Sequence, residues 1–284
     1  MEQSAQADDS LGAVLSNTFR GFWAVFKKLW PGFLAVYAPL NAIYWMLVTL
    51  LDILIGDRLT LVQSVRLAGN IDKLLSGTVG LVCVAATLLA IREWEEGREF
   101  SAVAMFKRAL SRWGVFFAAT LLAGLATFLL FCLCIVPGII FGVYFVFVAV
   151  VAVFGDNTIT GAFSDSKSLV VNRWWPTLGV MLVLLLVAVL ASAPGTVIMF
   201  GGSLPLVIVE VFEEEGEAVA GLARLAAFMV DAIGTVVGGT LTDIATLLFP
   251  SGMAILYLRR KANRCSKTDD QPCAQAGTDP AMPL

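Results

Sequence analysis

Few residues in this chain combine a reactive type with a setting where reactivity would matter, and Asp243 leads them. In the stretch GTVVGGTLTDIATLLFPSGMAILYLRR it stands about 15 residues before the basic cluster Arg259, Arg260 and Lys261. If that cluster marks a membrane surface, the helical rise places the carboxylate about 20 Å deep. An acid at such depth costs about 2.5–3.5 kcal/mol on insertion scales, so it must face a bundle interior, a partner or water. One reading makes Asp243, with Thr240 and Thr242, a proton- or cation-coupled site. The plainer reading ties a neutral or hydrogen-bonded Asp243 to Thr240, Thr242 or Ser251, or starts the span later than the apolar run suggests.

Other chemistries find little support. The chain has no histidine, which removes the commonest general base and metal ligand. Cys132 and Cys134 are two apart and point different ways on a helix, a poor metal pair. Cys83 lies in an apolar run, and Cys265 and Cys273 lie in a polar tail expected to be cytosolic and reduced. No nucleotide loop, zinc spacing, nucleophile elbow or carboxylate pair occurs, and Gly161-Ala162 and Gly201-Gly202 are not phosphate cradles. The expectation is no enzyme, no cofactor, no metal and no nucleic acid.

The elements that must position Asp243 are membrane helices. Of 284 residues 58% are hydrophobic and only 14% charged, where a soluble domain carries about a quarter charged residues. Apolar runs near the length of a bilayer crossing predict an all-α integral membrane protein of about six transmembrane helices, with amphipathic interfacial helices on the cytoplasmic side. The polar, acidic start MEQSAQADDS does not read as a signal peptide, and residues 1–10 and the tail 263–284 are expected to be disordered around a membrane domain, 11–262.

Within that domain, 11–30 reads as an interfacial helix, with Leu15, Phe19, Phe22, Phe26 and Leu29 on one stripe and Arg20, Lys27 and Lys28 largely off it. Spans are expected at about 31–55, 74–91, 114–136, 139–154, 175–193 and 233–258, with amphipathic stretches at 98–113 and 160–175. Asn41 and Asp52 are the polar marks of the first span, and the segment between the first two is expected to be a loop. Pro137-Gly138 reads as the turn of a helical hairpin, and 196–212 as a re-entrant or interfacial segment.

A weak repeat supports this plan. A basic residue and tryptophan precede three spans: Lys27, Lys28 and Trp30; Arg112 and Trp113; Arg173, Trp174 and Trp175. Such pairs anchor at headgroup level. Pro137-Gly138 and Pro194-Gly195 would each end the span so begun. Gly138/Gly142 and Gly234/Gly238 have GxxxG spacing, which serves close helix packing inside one bundle or contact in a homo-oligomer. Of the 19 Lys and Arg residues, only Arg58, Arg66, Lys73 and Arg224 fall outside under an even-span plan. The positive-inside rule then predicts cytoplasmic N- and C-termini, with the acidic run 213–217 outward.

The stretch CIVPGIIFGVYFVFVAVVAVFGDNTITGAFSDSKSLVVNRWWPTLG, with its Pro-Gly, Ala162, Ser166 and basic-tryptophan entry, resembles the YciC-like proteins. That group includes the membrane domain attached to some bacterial glycerophosphodiester phosphodiesterases, and the ending Tyr257-Leu258-Arg259-Arg260 is similar. The resemblance covers roughly residues 11–262 and is sharpest over 136–176. It implies a stand-alone inner-membrane domain without the catalytic barrel, so no catalytic residue is implied. The expected function is a non-enzymatic module that interacts with membrane lipids, organises the envelope or binds other membrane proteins. The alternative is a small transporter or channel using Asp243.

Overall fold

The computed structural model describes the backbone of residues 11–55, 61–155, 158–211 and 217–265, and side chains in these except in 51–76, 206–224 and 264–265. Residues 1–10, the side chains of Asp52, Arg58, Arg66, Lys73, Arg224, Cys265 and the 213–217 run, and the tail after 265 with Cys273 lie outside the described residues. Ten helices and no strand occur among the described residues: α1 Leu11–Ile55, α2 Leu61–Glu95, α3 Ala102–Ser111, α4 Trp113–Leu133, α5 Ile135–Phe145, α6 Val148–Phe154, α7 Ile159–Val170, α8 Trp174–Val211, α9 Glu217–Thr246 and α10 Leu248–Cys265. Among the described residues, six stretches are long and apolar enough to cross a membrane: Leu11–Leu50, Gly77–Glu95, Trp113–Leu133, Ile135–Phe154, Trp174–Pro205 and Leu225–Asn263. The chain has the all-α architecture of a multi-pass membrane protein, with as many span-length apolar stretches as expected.

Two compact units form. Unit 1 takes residues 11–28, 84–186 and 248–265, and unit 2 takes 29–83 and 187–247. Helices α1, α2 and α8 contribute to both.

Several boundaries differ from expectation, each for a packing reason. The interfacial helix 11–30 and the first span are one 45-residue helix that passes through Pro31 and Pro39. Val14, Thr18, Val25, Leu29, Phe33, Tyr37 and Asn41 are buried along it at a spacing near four. That stripe crosses Pro31 without a change of phase, so packing holds a helix that proline alone would interrupt. The segment 11–28 also packs on protein: a Cβ on Gly21 would lie 2.8 Å from the Trp94 ring and 3.3 Å from Ile255. Phe19, on the predicted lipid stripe, is exposed beside this face. The expected loop before the second span is helical from Leu61 onward.

Likewise α8 continues through Pro194 and Pro205. Pro194-Gly195 therefore does not end a span, and 196–211 extends the helix. The last span is interrupted at Leu247, whose N–H reaches back to Ile244 O. Pro250, third in α10, lacks the N–H that would bond Thr246 and clashes with that carbonyl, which explains the break.

The hairpin turn is not at Pro137-Gly138. The chain reverses at Cys134, an extended residue (φ −166°, ψ 137°) that closes α4 and opens α5. Pro137 sits in the first turn of α5, where a missing N–H leaves no bond unmade. Gly138 lets the two arms meet: a Cβ there would be 2.7 Å from Phe131 Cα. The fourth crossing thereby lengthens to Ile135–Phe154, in two helices parted at Phe147.

Candidate functional site: carboxylates in unit 2

Unit 2 is drawn together by glycines. A Cβ on Gly234 would fall 2.7 Å from Gly202 Cα, and one on Gly195 would fall 2.6 Å from both Gly238 O and Thr242 Oγ1. Helices α8 and α9 thus touch backbone to backbone, and the Gly234/Gly238 pair serves packing inside the chain. Gly239 does the same for α1, because its missing Cβ leaves the space that the Asn41 side chain occupies, 2.7 Å away at Cγ. Close approach of this kind, driven by dispersion and polar links, is how helices associate in lipid.

In that setting Asn41 meets Asp243. Asn41 Nδ2 donates to Asp243 Oδ2 at 2.8 Å and to Tyr37 O at 2.9 Å. Asn41 is buried and Asp243 partly so. Tyr37 and Cys83, both buried, share a hydrogen bond in the neighbourhood of Asp243. The threonines take another role. Thr240 Oγ1 donates to Val236 O at 2.6 Å and Thr242 Oγ1 to Gly238 O at 2.9 Å, so both hydroxyls turn back onto their own helix. Thr246 Oγ1 donates to the Asp243 carbonyl at 2.7 Å. Ser251 is fully buried in unit 1. Asp243 takes an amide from α1, while the Thr240 and Thr242 hydroxyls donate to their own helix.

A second acid, absent from the sequence reading, repeats the arrangement. Asp231 accepts from Trp45 Nε1 at 2.8 Å through Oδ2 and from Ser203 Oγ at 2.7 Å through Oδ1. The Trp45 ring packs at 4.5 Å on Phe228. Asp231 binds α1 and α8 to α9, as Asp243 binds α1. Both acids receive bonds from neutral donors, the type of link that replaces hydration inside a membrane.

The expected anchors other than Trp30, which falls in unit 2, belong to unit 1. Lys27 Nζ lies over the Trp23 ring at 5.5 Å and Lys28 Nζ over Phe100 at 4.6 Å. Trp30 is exposed, Trp113 stacks on Phe117 at 5.2 Å, and Trp174 and Trp175 meet edge to face at 4.7 Å with Trp175 exposed. The Arg173 carbonyl accepts from Thr177 Oγ1 at 2.6 Å. Arg112 turns inward: its Nη1 donates to Val153 O at 3.4 Å and Gly155 O at 3.1 Å, while Arg92 Nη1 donates to Phe154 O at 3.2 Å. Two guanidinium groups thus close the carbonyl end of α6, where cations are favoured. Arg260, also buried, donates to Thr177 Oγ1 at 2.7 Å and covers the Phe147 ring at 5.6 Å. Ser166, part of the family-like motif, donates to Tyr144 O at 2.6 Å and fastens α7 to α5.

Two apolar grooves also lie among the described residues. One of about 540 Å³ in unit 1 is lined by Thr120, Gly124, Thr127, Phe131, Gly142 and Phe145 among others. The other, about 690 Å³ along α8 in unit 2, runs from Val189 to Leu204. Asp231 and Asp243 line neither. Among the described residues no group of three His, Cys, Asp or Glu side chains is placed to hold a metal ion. In comparisons with known proteins, no family model, no characterised protein and no solved structure matches the chain.

Proposed function

We propose that the chain is a non-enzymatic, YciC-like module of the inner or plasma membrane, with both termini cytoplasmic. In this reading it holds membrane lipids, and other membrane proteins or a second copy of itself, along its apolar faces; it neither moves solutes nor catalyses a reaction. The observation that carries it is the Asn41–Asp243 contact at 2.8 Å. The acid on which a transport reading would rest is engaged by a packed amide, and its threonines face their own helix. Solute translocation would require that bond to open to water.

A transporter remains as the second reading, favoured by one fact: the span-length stretch from Leu225 holds two acids, Asp231 and Asp243, not one. Thiol accessibility separates the two. In a variant with the five native cysteines replaced, Asp243→Cys and, as control, exposed Glu99→Cys are offered a membrane-impermeant maleimide from each side. The module reading expects protection at 243 and labelling at 99 from the cytoplasmic face alone. Labelling at 243 from either face would establish a water path to the acid and overturn the module reading in favour of transport.

A further inference from the structure

We propose that α3 is an in-plane helix that seats in an anionic lipid leaflet, with Val103 and Leu110 among the acyl chains and Lys107 at the phosphates. The proposal rests on the membrane-module reading and names the lipid class and the face that meets it.

Three observations carry it. First, α3 divides into two apolar sides. Met105 and Ala109 are buried against unit 1, whereas Val103 is 77% and Leu110 66% exposed. At 3.6 residues per turn, positions 103 and 110 fall within one narrow arc, so the exposed side is a stripe led by Val103 and Leu110, with half-buried Phe106 at its edge. Second, this stripe continues the lipid-facing surface. Arg112 is both the last cap of α3 and the first cap of α4, and α4 then exposes Val115, Leu121, Leu122 and Leu125 along a span-length helix. A face this apolar, joined through one residue to a bilayer crossing, is covered by the same lipid. Third, charge is placed to match. Exposed Lys107 adjoins the stripe, while Arg108, further round the helix, is held by Glu93 at 3.3 Å. Lys107, with no ion pair among the described residues, therefore stands at the lipid side, where a basic side chain can snorkel to phosphate, while the exposed arginine is paired to Glu93.

The test uses the full chain, cysteines replaced, reconstituted in vesicles of phosphatidylcholine with or without phosphatidylglycerol. Val103→Cys and Leu110→Cys carry an environment-sensitive fluorophore, with Glu99→Cys as the aqueous control. Seating of α3 gives several-fold stronger quenching by shallow doxyl-labelled lipid at 103 and 110 than at 99, strengthened by phosphatidylglycerol. Lys107→Glu removes that strengthening. Iodide quenching at 103 and 110 equal to the control, without doxyl quenching, overturns the proposal, and so does quenching indifferent to phosphatidylglycerol and to Lys107→Glu. Lipid retained by the purified protein in either of those cases leaves the module reading standing. Loss of both fails the two together.

Discussion

The contact between Asn41 and Asp243 can be taken apart from three directions, and the three should not add. Asn41→Ala removes the donor and Asp243→Ala the acceptor of the 2.8 Å bond. Gly239→Ala attacks it sterically, because the new Cβ would fall on the Asn41 amide. Hydrogen bonds between membrane helices average about 0.6 kcal/mol and reach about 1.7, whereas bonds to a charged group reach about 1.5–3 kcal/mol. A double-mutant cycle between Asn41→Ala and Asp243→Ala should thus give a coupling of about 0.6–1.7 kcal/mol if the acid is neutral, and more if it is ionised. For Gly239→Ala, overpacking costs about 1–3 kcal/mol, against a gain of up to about 1 kcal/mol in helix propensity. The net effect should be destabilising. In the Asn41→Ala background the obstruction is gone, so the same substitution should turn neutral or stabilising. Reversible unfolding of the full chain in mixed dodecylmaltoside–SDS micelles, followed by tryptophan fluorescence and circular dichroism, reads both. The reasoning fails if Gly239→Ala costs the same in both backgrounds, or if the coupling lies within about 0.3 kcal/mol of zero, the scatter of independent sites.

Two further substitutions test neighbouring features. Gly138→Ala should destabilise by about 1–3 kcal/mol through overpacking against Phe131 Cα, while Gly114→Ala, with open space around its Cβ position, should not; thermal unfolding in detergent compares them. Trp45→Phe keeps the ring on Phe228 but removes the donor to Asp231 Oδ2, leaving Ser203 on Oδ1, so it should cost about 1–3 kcal/mol for the unsatisfied oxygen. That loss should shrink when Asp231→Leu removes the acid as well, in the same micelle assay.

The span-length helices were legible because bilayer thickness imposes a length on apolar runs, and α4 at 21 residues is close to the ~20 that a crossing needs. Helix continuity was less legible. Proline marks at 31 and 194 carry a local signal to stop, and only the burial of Leu29 and Phe33 on either side of the first, and of Gly195 beside the second, overrides it. Pro137-Gly138 misled in the opposite sense: a Pro-Gly pair between apolar runs looks like a turn, yet Cys134, with no turn signature, is where the chain reverses. Asn41 stood out as a polar mark, but its partner lies 202 residues away, and periodicity does not reveal which helix meets which. Asp231 was missed because the last span was begun at 233. Extending the apolar run back through Leu225-Ala226-Ala227-Phe228-Met229-Val230 would have enclosed it.

Whether the two acids are packing links or protonation sites is decided by swapping oxygen for nitrogen. Asp231 and Asp243 are 12 residues apart on α9, about 18 Å along the axis, in a hydrocarbon layer about 30 Å thick. If α9 crosses there, at least one acid lies about 6 Å or more inside, so the bonds from Asn41, Trp45 and Ser203 are needed wherever the helix sits. In Asp243→Asn the amide oxygen still accepts from Asn41. In Asp231→Asn the oxygen can accept from Trp45 Nε1, while the new NH₂ donates to Ser203, whose hydroxyl serves equally as acceptor. Each exchange trades one hydrogen bond for another of about 1 kcal/mol, so links of this kind should leave both variants folded and within about 1 kcal/mol of the parent. Proton coupling has a different signature. The amides cannot titrate, so a pH-jump dye assay in vesicles would show parent flux that disappears in folded Asp243→Asn. No flux in the parent, with both amide variants stable, is the result expected of links; parent flux lost with the carboxylate would refute it.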